Sequence, residues 1–255
     1  MNRERLRTTF GEDAERYDRI RPDYPAALFT DLPPGRVLEI GCGTGQATLP
    51  LATLGRAVTA VELSHTMAAI AERKLAAFPT VEVIVSPFED WPLPPTPFDL
   101  VLSATAFHWL DPETRMQKSA DALRPGGTLA IISTHHILGG TVPFFIDVQQ
   151  CYERYDPDTP PNLRQQAGVD IPGDTTEFTA SGRFGPVTFH AYEWDRTYTT
   201  NEYLDLLLTY SNHRALPADR QAGLLRCIRQ RIDSYGGSIT KRYLTQLATA
   251  QRISQ

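Results

Sequence analysis

The stretch VLEIGCGTGQATL, Val37 to Leu49, places three glycines within five positions directly after a run that reads as a buried strand. A strand that ends in glycines and opens a helix brings backbone N–H groups and bare Cα atoms close to a ligand, because glycine tolerates positive φ and has no side chain to obstruct contact. A dinucleotide fingerprint would read GxGxxG. Here Gly41, Gly43 and Gly45 give GxGxG, and Gln46 stands where the helix-packing glycine of a dehydrogenase belongs.

Two carboxylates narrow the ligand. The next β-rich run, AVTAVEL, ends in Glu62, about 20 residues on, where an acidic side chain accepts hydrogen bonds from ribose hydroxyls and repels a 2′-phosphate. Glu39, two residues before Gly41, adds a carboxylate expected at the mouth of the site, unwelcome beside pyrophosphate but suited to an ammonium or sulfonium. Together they favour an adenosine cofactor that is positively charged at its far end.

Working outward, residues 36–134 alternate short β-rich runs (RVLEIG, AVTAVEL, VEVIVS, FDLVLSA, TLAIIS) with helical patterns (ATLPLATL, HTMAAIAERKLAAF, TRMQKSADALR). This alternation predicts βαβ units around a parallel sheet, with right-handed crossovers putting helices on both faces. LRPGG supplies a turn before the fifth strand. Ahead of this unit, GEDAERYDRIRPDYPAALFTDL reads as one or two short helices interrupted at Pro22 and Pro25. After it come helical material in PFFIDVQQCYERY, a loop rich in proline and glycine, a strand in VTFHAYEWDRTYT, helices in NEYLDLLLTYS and ADRQAGLLRCIRQRID, and a closing strand or helix in KRYLTQLATAQRI.

The chain has 255 residues, 41% of them hydrophobic and 22% charged, as in an ordinary globular protein. Its net charge of −5 opposes general affinity for nucleic acid or anionic membrane. No apolar run approaches the ~20 residues of a membrane span, and MNRERLRTTF lacks the apolar stretch of a secretory signal, so a cytoplasmic protein is expected. Cys42, Cys151 and Cys227 are odd in number and far apart, suggesting neither a disulfide framework nor a metal site.

VLEIGCGTGQA, VTAVEL, VSPFEDWPL, FDLVLSATAFHWL and LRPGGTLAII resemble the successive motifs of the class I S-adenosylmethionine-dependent methyltransferases, in the subgroup of ubiquinone/menaquinone-biosynthesis and trans-aconitate enzymes. The likeness covers residues 10–135. It implies a Rossmann-like, doubly wound, mostly parallel sheet of seven strands with an antiparallel last strand, KRYLTQLATAQRI beside VTFHAYEWDRTYT, and a mainly helical cap. The division that follows is 1–140 for lid helices and cofactor core, 141–182 and 201–236 for the cap that chooses the substrate, and 183–200 and 237–255 for the closing strands.

Carried over residue by residue, the resemblance sets Glu39 and Gly41 beside the methionine end of S-adenosylmethionine, with Gly43 and Gly45 in the close-approach turn and Glu62 on the ribose. Leu63 and Met67 pack on adenine, and Phe88 and Glu89 border its edge; the acidic residue the family often carries just before Phe88 is here Pro87. Tyr17 reaches the methionine carboxylate. Ligands of a doubly wound sheet bind beyond the C-terminal strand ends, so SATAFHWLD should line the reaction site: Ser103, Ala104 and Thr105 along the methionine, Phe107 and Trp109 toward the substrate. His108 is the candidate catalytic base or a structural plug, its imidazole able to accept a proton near neutral pH. His135 and His136 close the fifth strand at the same mouth. In the cap, Tyr210, His213 and Arg214 could meet an anionic acceptor. The expectation is a methyltransferase acting on a small molecule, on oxygen first, as a monomer or homodimer without metal, nucleic acid or membrane partner. An NAD-dependent oxidoreductase and an inactive cofactor-binding module are the alternatives.

Overall fold

A computed structural model describes residues 11, 13–156 and 158–253; the N-terminal residues read above for a secretory signal lie outside them. The first half of the chain runs α1 (Ala14–Ile20), α2 (Ala26–Thr30), β1 (Val37–Ile40), α3 (Thr48–Thr53), β2 (Val58–Glu62), α4 (His65–Leu75), β3 (Val81–Val85), β4 (Phe98–Ala104), α5 (Arg115–Ala122) and β5 (Leu123–Gly140). The second half runs α6 (Val142–Asp147), α7 (Gln149–Tyr155), α8 (Thr176–Ser181), β6 (Thr188–Thr199), α9 (Thr200–Leu207), α10 (Ser211–Arg214), α11 (Ala218–Ser234) and β7 (Ser238–Gln251).

The seven strands form one sheet in the order β3-β2-β1-β4-β5-β7-β6. β1 to β5 pair in parallel, and β7 runs antiparallel to both its neighbours. Every residue of β1 and β2 is buried, as strands covered on both faces require. Leu28, Leu51, Leu100 and Leu102 fill one face of the sheet, and Leu38, Phe98, Val101 and Leu129 fill the other. A third apolar cluster lies in the helical part: Phe144, Cys151, Leu206, Leu224 and Ile228 pack with Tyr198 and Tyr243.

Three features depart from the sequence reading. Cys151 of α7 and Cys227 of α11 form a disulfide, Cα to Cα 5.8 Å across 76 residues of sequence; distance along the chain says nothing about cysteines on two packed helices. β5 begins at Leu123, ahead of its turn: Phe98 pairs with Leu123 and Leu100 with Thr128, so Arg124 to Gly127 bulge out of register within the strand. It also runs past His135 and His136 to Gly140, because β7 continues to pair with it beyond the end of β4.

α1 spans two parts of the molecule. Lys74 and Arg73 of α4 pair with Asp18 (2.7 Å) and Glu15 (2.6 Å) on one side. On the other, Asp205 of α9 pairs with Arg16 and Arg19.

Candidate active site

A cavity of about 840 Å³ opens beyond the C-terminal ends of β1, β2 and β4 and continues along the extended end of β5. The glycine turn forms one end. Gly41 has φ +71°, and a Cβ there would stand 2.6 Å from the Ala106 Cβ; Gly43 has φ +59°, and a Cβ there would press on the Met67 methyl at 3.3 Å. Glu62 fixes the turn from the neighbouring strand. Its carboxylate accepts from the Gly43 amide (2.9 Å) and from the Ser64 amide (2.8 Å), while the Ser64 hydroxyl caps α4 by accepting from the Met67 amide. The residue expected to accept from the ribose is thus the clasp that holds the turn against α4.

Tyr17, Leu63, Met67, Phe88, Glu89, Ala104, Phe107, Trp109, His135 and Tyr210 all line this cavity, together with Gly41, Gly43, Glu62 and His108. Five predicted site residues do not. Glu39 is fully buried behind the turn, away from the mouth expected for it, because its position in the all-buried β1 turns it into the core. Gly45 faces Ala71 and Leu75 of α4, so its missing side chain serves helix packing. Ser103 is buried, its hydroxyl donating to the Ile40 carbonyl (3.0 Å) and tying β4 to β1. His213 is buried with both ring nitrogens engaged, Nε2 with the Tyr152 hydroxyl (3.0 Å) and Nδ1 with Asn212 (3.1 Å). Arg214 lies on the same short helix, outside the lining.

Beyond β4 the backbone turns sharply. Thr105 has φ +53°, unusual for a β-branched residue, and is held there by its amide bonding to Ile132 O (2.8 Å) and its hydroxyl pairing with the Tyr24 hydroxyl (2.9 Å). His108 follows in a 3₁₀ turn, solvent-exposed and tilted against Trp109 at 4.8 Å. Partial desolvation and the Arg115 cation lower its pKa below the ordinary imidazole value, leaving the ring neutral at neutral pH. Arg115 is itself held by Glu177 and donates to the Phe107 carbonyl (3.1 Å).

Glu39 and Gln46 are among several buried side chains at the turn, with Thr44 and Thr48, that lack a well-formed hydrogen bond. Neither carboxylate oxygen of Glu39 has a well-formed hydrogen bond, and burial, opposed by the Thr48 hydroxyl and assisted by the Glu62 charge, pushes its pKa up to about 7. The side-chain amide nitrogen of Gln46, on the cavity wall, is buried without an acceptor. A ligand carrying a carboxylate, as the methionine end of S-adenosylmethionine does, suits the unmatched Gln46 donor on the cavity wall, while Glu39, behind the turn, favours a cation through its charge and not by contact. The clasped turn and open glycine faces fit the rest of it.

Residues 38–131 match the methyltransferase-domain family. An uncharacterized methyltransferase of Mycobacterium tuberculosis is 29% identical over 232 residues, which span 90% of this chain and 87% of that one. The chain carries a methyltransferase domain at residues 38–131, on the Rossmann-like fold of the class I S-adenosylmethionine-dependent methyltransferases. The malonyl-[acyl-carrier protein] O-methyltransferase of Geobacter sulfurreducens is 34% identical over 43% of this chain and 45% of its own. A protein of Anaeromyxobacter dehalogenans, solved as a candidate type II methyltransferase, shares the fold with a TM-score of 0.63 over 92% of this chain and 99% of that one, at 24% identity.

The far end of this methyltransferase's cavity holds residues the sequence reading passed over. Lys241 and Tyr243 of β7 and Trp194 of β6 line it. Trp194 stacks on Tyr243 at 4.5 Å and donates its indole N–H to Thr245 (3.0 Å), and the Tyr243 and Tyr198 hydroxyls pair at 2.8 Å. The readable signal was alternation: Ile239, Lys241, Tyr243, Thr245 and Leu247 share one buried face of β7, and a lysine on such a face is out of place unless it has a task.

Proposed function

We propose that the protein transfers a methyl group from S-adenosylmethionine to an oxygen, carboxylate or hydroxyl, of a small-molecule acceptor. The observation that carries this reading is the continuity of the cavity, which runs from the glycine turn past His108 to an aromatic and polar end, with room for a cofactor and a second molecule. The bound cofactor supplies a methyl group activated on a sulfonium. Glu62 holds the turn and takes the ribose hydroxyls; Leu63, Met67 and Phe88 form the apolar bed for the base; Tyr17 and Gln46 serve the methionine end.

On the acceptor side the chain aligns and dries the reacting pair, the main service an in-line displacement needs. Phe107 and Trp109 form the wall beyond β4, and neutral His108 accepts the proton of a hydroxyl acceptor; a carboxylate acceptor needs no base. The reaction is assigned to the cytoplasm, where the Cys151–Cys227 disulfide would be open to reduction. Calorimetry with S-adenosylmethionine, S-adenosylhomocysteine and NAD tests the cofactor, and NAD binding without S-adenosylhomocysteine binding would sink the proposal. Methyl incorporation across a panel of organic acids and phenols tests the acceptor.

A further inference from the structure

Lys241 is 5% exposed, yet forms no ion pair with a carboxylate of a described residue. Its ammonium donates to the Tyr210 hydroxyl (3.3 Å) and lies over the Tyr243 ring, 4.9 Å from its centroid. Arg21 stands on the same tyrosine: its guanidinium is 4.5 Å from the Tyr210 ring centroid, and it donates to the Thr209 hydroxyl and carbonyl, both neutral, at 2.9 Å. His136 lines the same part of the cavity, edge-on to Phe145 at 4.4 Å, with its Nε2 buried and without a partner. Burying a charge without a counter-charge is costly, and a buried ring nitrogen without a partner adds to the cost.

We propose that Lys241, Tyr210 and His136, backed by Arg21, form the subsite that holds a carboxylate of the methyl acceptor, at the end opposite the atom that is methylated. This rests on the methyltransferase reading of the cavity. The donor count fits one such group. Lys241 spends one of its three hydrogens on Tyr210; the phenol, accepting there, keeps its own hydrogen to give; and His136 supplies a third donor in the tautomer protonated at Nε2. The phenol is also more acidic than usual: burial raises its pKa, but the Lys241 and Arg21 cations together with hydrogen bonds from Lys241 and Tyr243 bring it below the ordinary value, which strengthens it as a donor. The count of free donors points to a single carboxylate, because Arg21 already gives two of its N–H groups to Thr209.

Position separates this group from the reaction. Arg242, next to Lys241, pairs with Ile137, five residues along β5 from the Ile132 that faces the end of β4 at Ala104. At ~3.3 Å per strand residue this is roughly 16 Å. A carboxylate seated there is a handle, and its distance from the end of β4 leaves another acceptor oxygen for the methyl group.

The test is titration calorimetry on the full-length protein saturated with S-adenosylhomocysteine, using phenylacetate, octanoate and monomethyl glutarate, each against its primary amide. At least one acid should bind about tenfold or more tighter than its amide, the difference a charge-assisted contact supports. Lys241→Met should erase that preference while changing S-adenosylhomocysteine affinity less than about twofold. Acid and amide binding alike, or neither binding, overturns the proposal. So does a loss of S-adenosylhomocysteine affinity in Lys241→Met, which would assign the cluster to the cofactor's own carboxylate. Preference for phenyl phosphate over phenylacetate also overturns the assignment to a carboxylate. Tyr210→Phe keeps the ring and removes one donor, so it should cut the acid preference about threefold even if the substitution at 241 does not fold. Failure of the wild type to bind S-adenosylhomocysteine is a separate result and overturns the methyltransferase reading itself.

Discussion

Glu39 shows what a buried acid costs a fold. Its carboxyl titrates near 7 in the folded protein against an ordinary 4.5, so the proton is held more tightly when folded. Its contribution to stability is therefore complete below pH 4.5 and is lost as pH rises through 7. Glu39→Gln should raise thermal stability above pH 8 by on the order of 3 kcal/mol and leave it nearly unchanged at pH 4, as read from melting curves at both pH values. The same residue should release a fraction of a proton when a cationic ligand binds at pH 7, seen as a dependence of calorimetric heat on buffer ionisation enthalpy. Glu62 behaves differently because it is a clasp as well as the proposed ribose acceptor. Glu62→Ala should weaken S-adenosylhomocysteine binding by ~1–3 kcal/mol and also lower the melting temperature, since the Gly43 and Ser64 amides lose their acceptor. At this scale the sequence revealed residue types and not directions. Glu39 and Ser103 were chosen for their place beside a motif, yet strand alternation turns both into the core, and only pairing between strands decides which way a side chain faces.

Among elements, the glycine turn and its neighbours were the most legible, because backbone constraints are local. Gly41→Ala combines a left-handed φ, costing about 1–2 kcal/mol for a residue with a side chain, with a collision against Ala106. It should lower the melting temperature by several degrees and S-adenosylhomocysteine affinity at least tenfold, measured by scanning and titration calorimetry. Strands β1, β2 and β4 could be read because burial on both faces demands continuous apolar runs. β7 was ambiguous from its own pattern, since Lys241, Arg242 and Gln246 interrupt it, and the family resemblance identified it as a strand. Helix α8 escaped notice: six residues between a loop and a left-handed Gly182 carry too little periodicity to register.

For the whole molecule, pH stability and the covalent link separate the parts. His213 and His136 are held neutral by burial, their pKa values lowered from 6.5 to about 4 and about 2. A base depressed in this way contributes stability that is present above pH 6.5 and is lost as pH falls through that value. Melting temperature should therefore drop between pH 6.5 and 4, more steeply in Glu39→Gln, whose opposing gain is absent, and less steeply in His213→Asn. The disulfide joins α7 to α11 across 76 residues, a closure that contributes roughly 4 kcal/mol in the chain-entropy account. Oxidised protein should melt higher than protein in dithiothreitol, whereas Cys227→Ser should melt alike in both. That pairing could not be read from the sequence, since it depends on how two cap helices pack.

The antiparallel last strand has a consequence for how such a protein changes over time. Apart from Tyr17, the residues proposed to serve the cofactor fall within one short stretch, Gly41 to Phe88. Those proposed to hold the acceptor come from positions 21, 136, 210 and 241, brought together because β7 runs back alongside the long end of β5. Selection can therefore rewrite the first few residues of β7 and the loop before α10 while the turn that binds the methyl donor stays intact. A lineage built this way explores new acceptors by substitution at its tail, and each trial leaves the expensive half of the enzyme in working order.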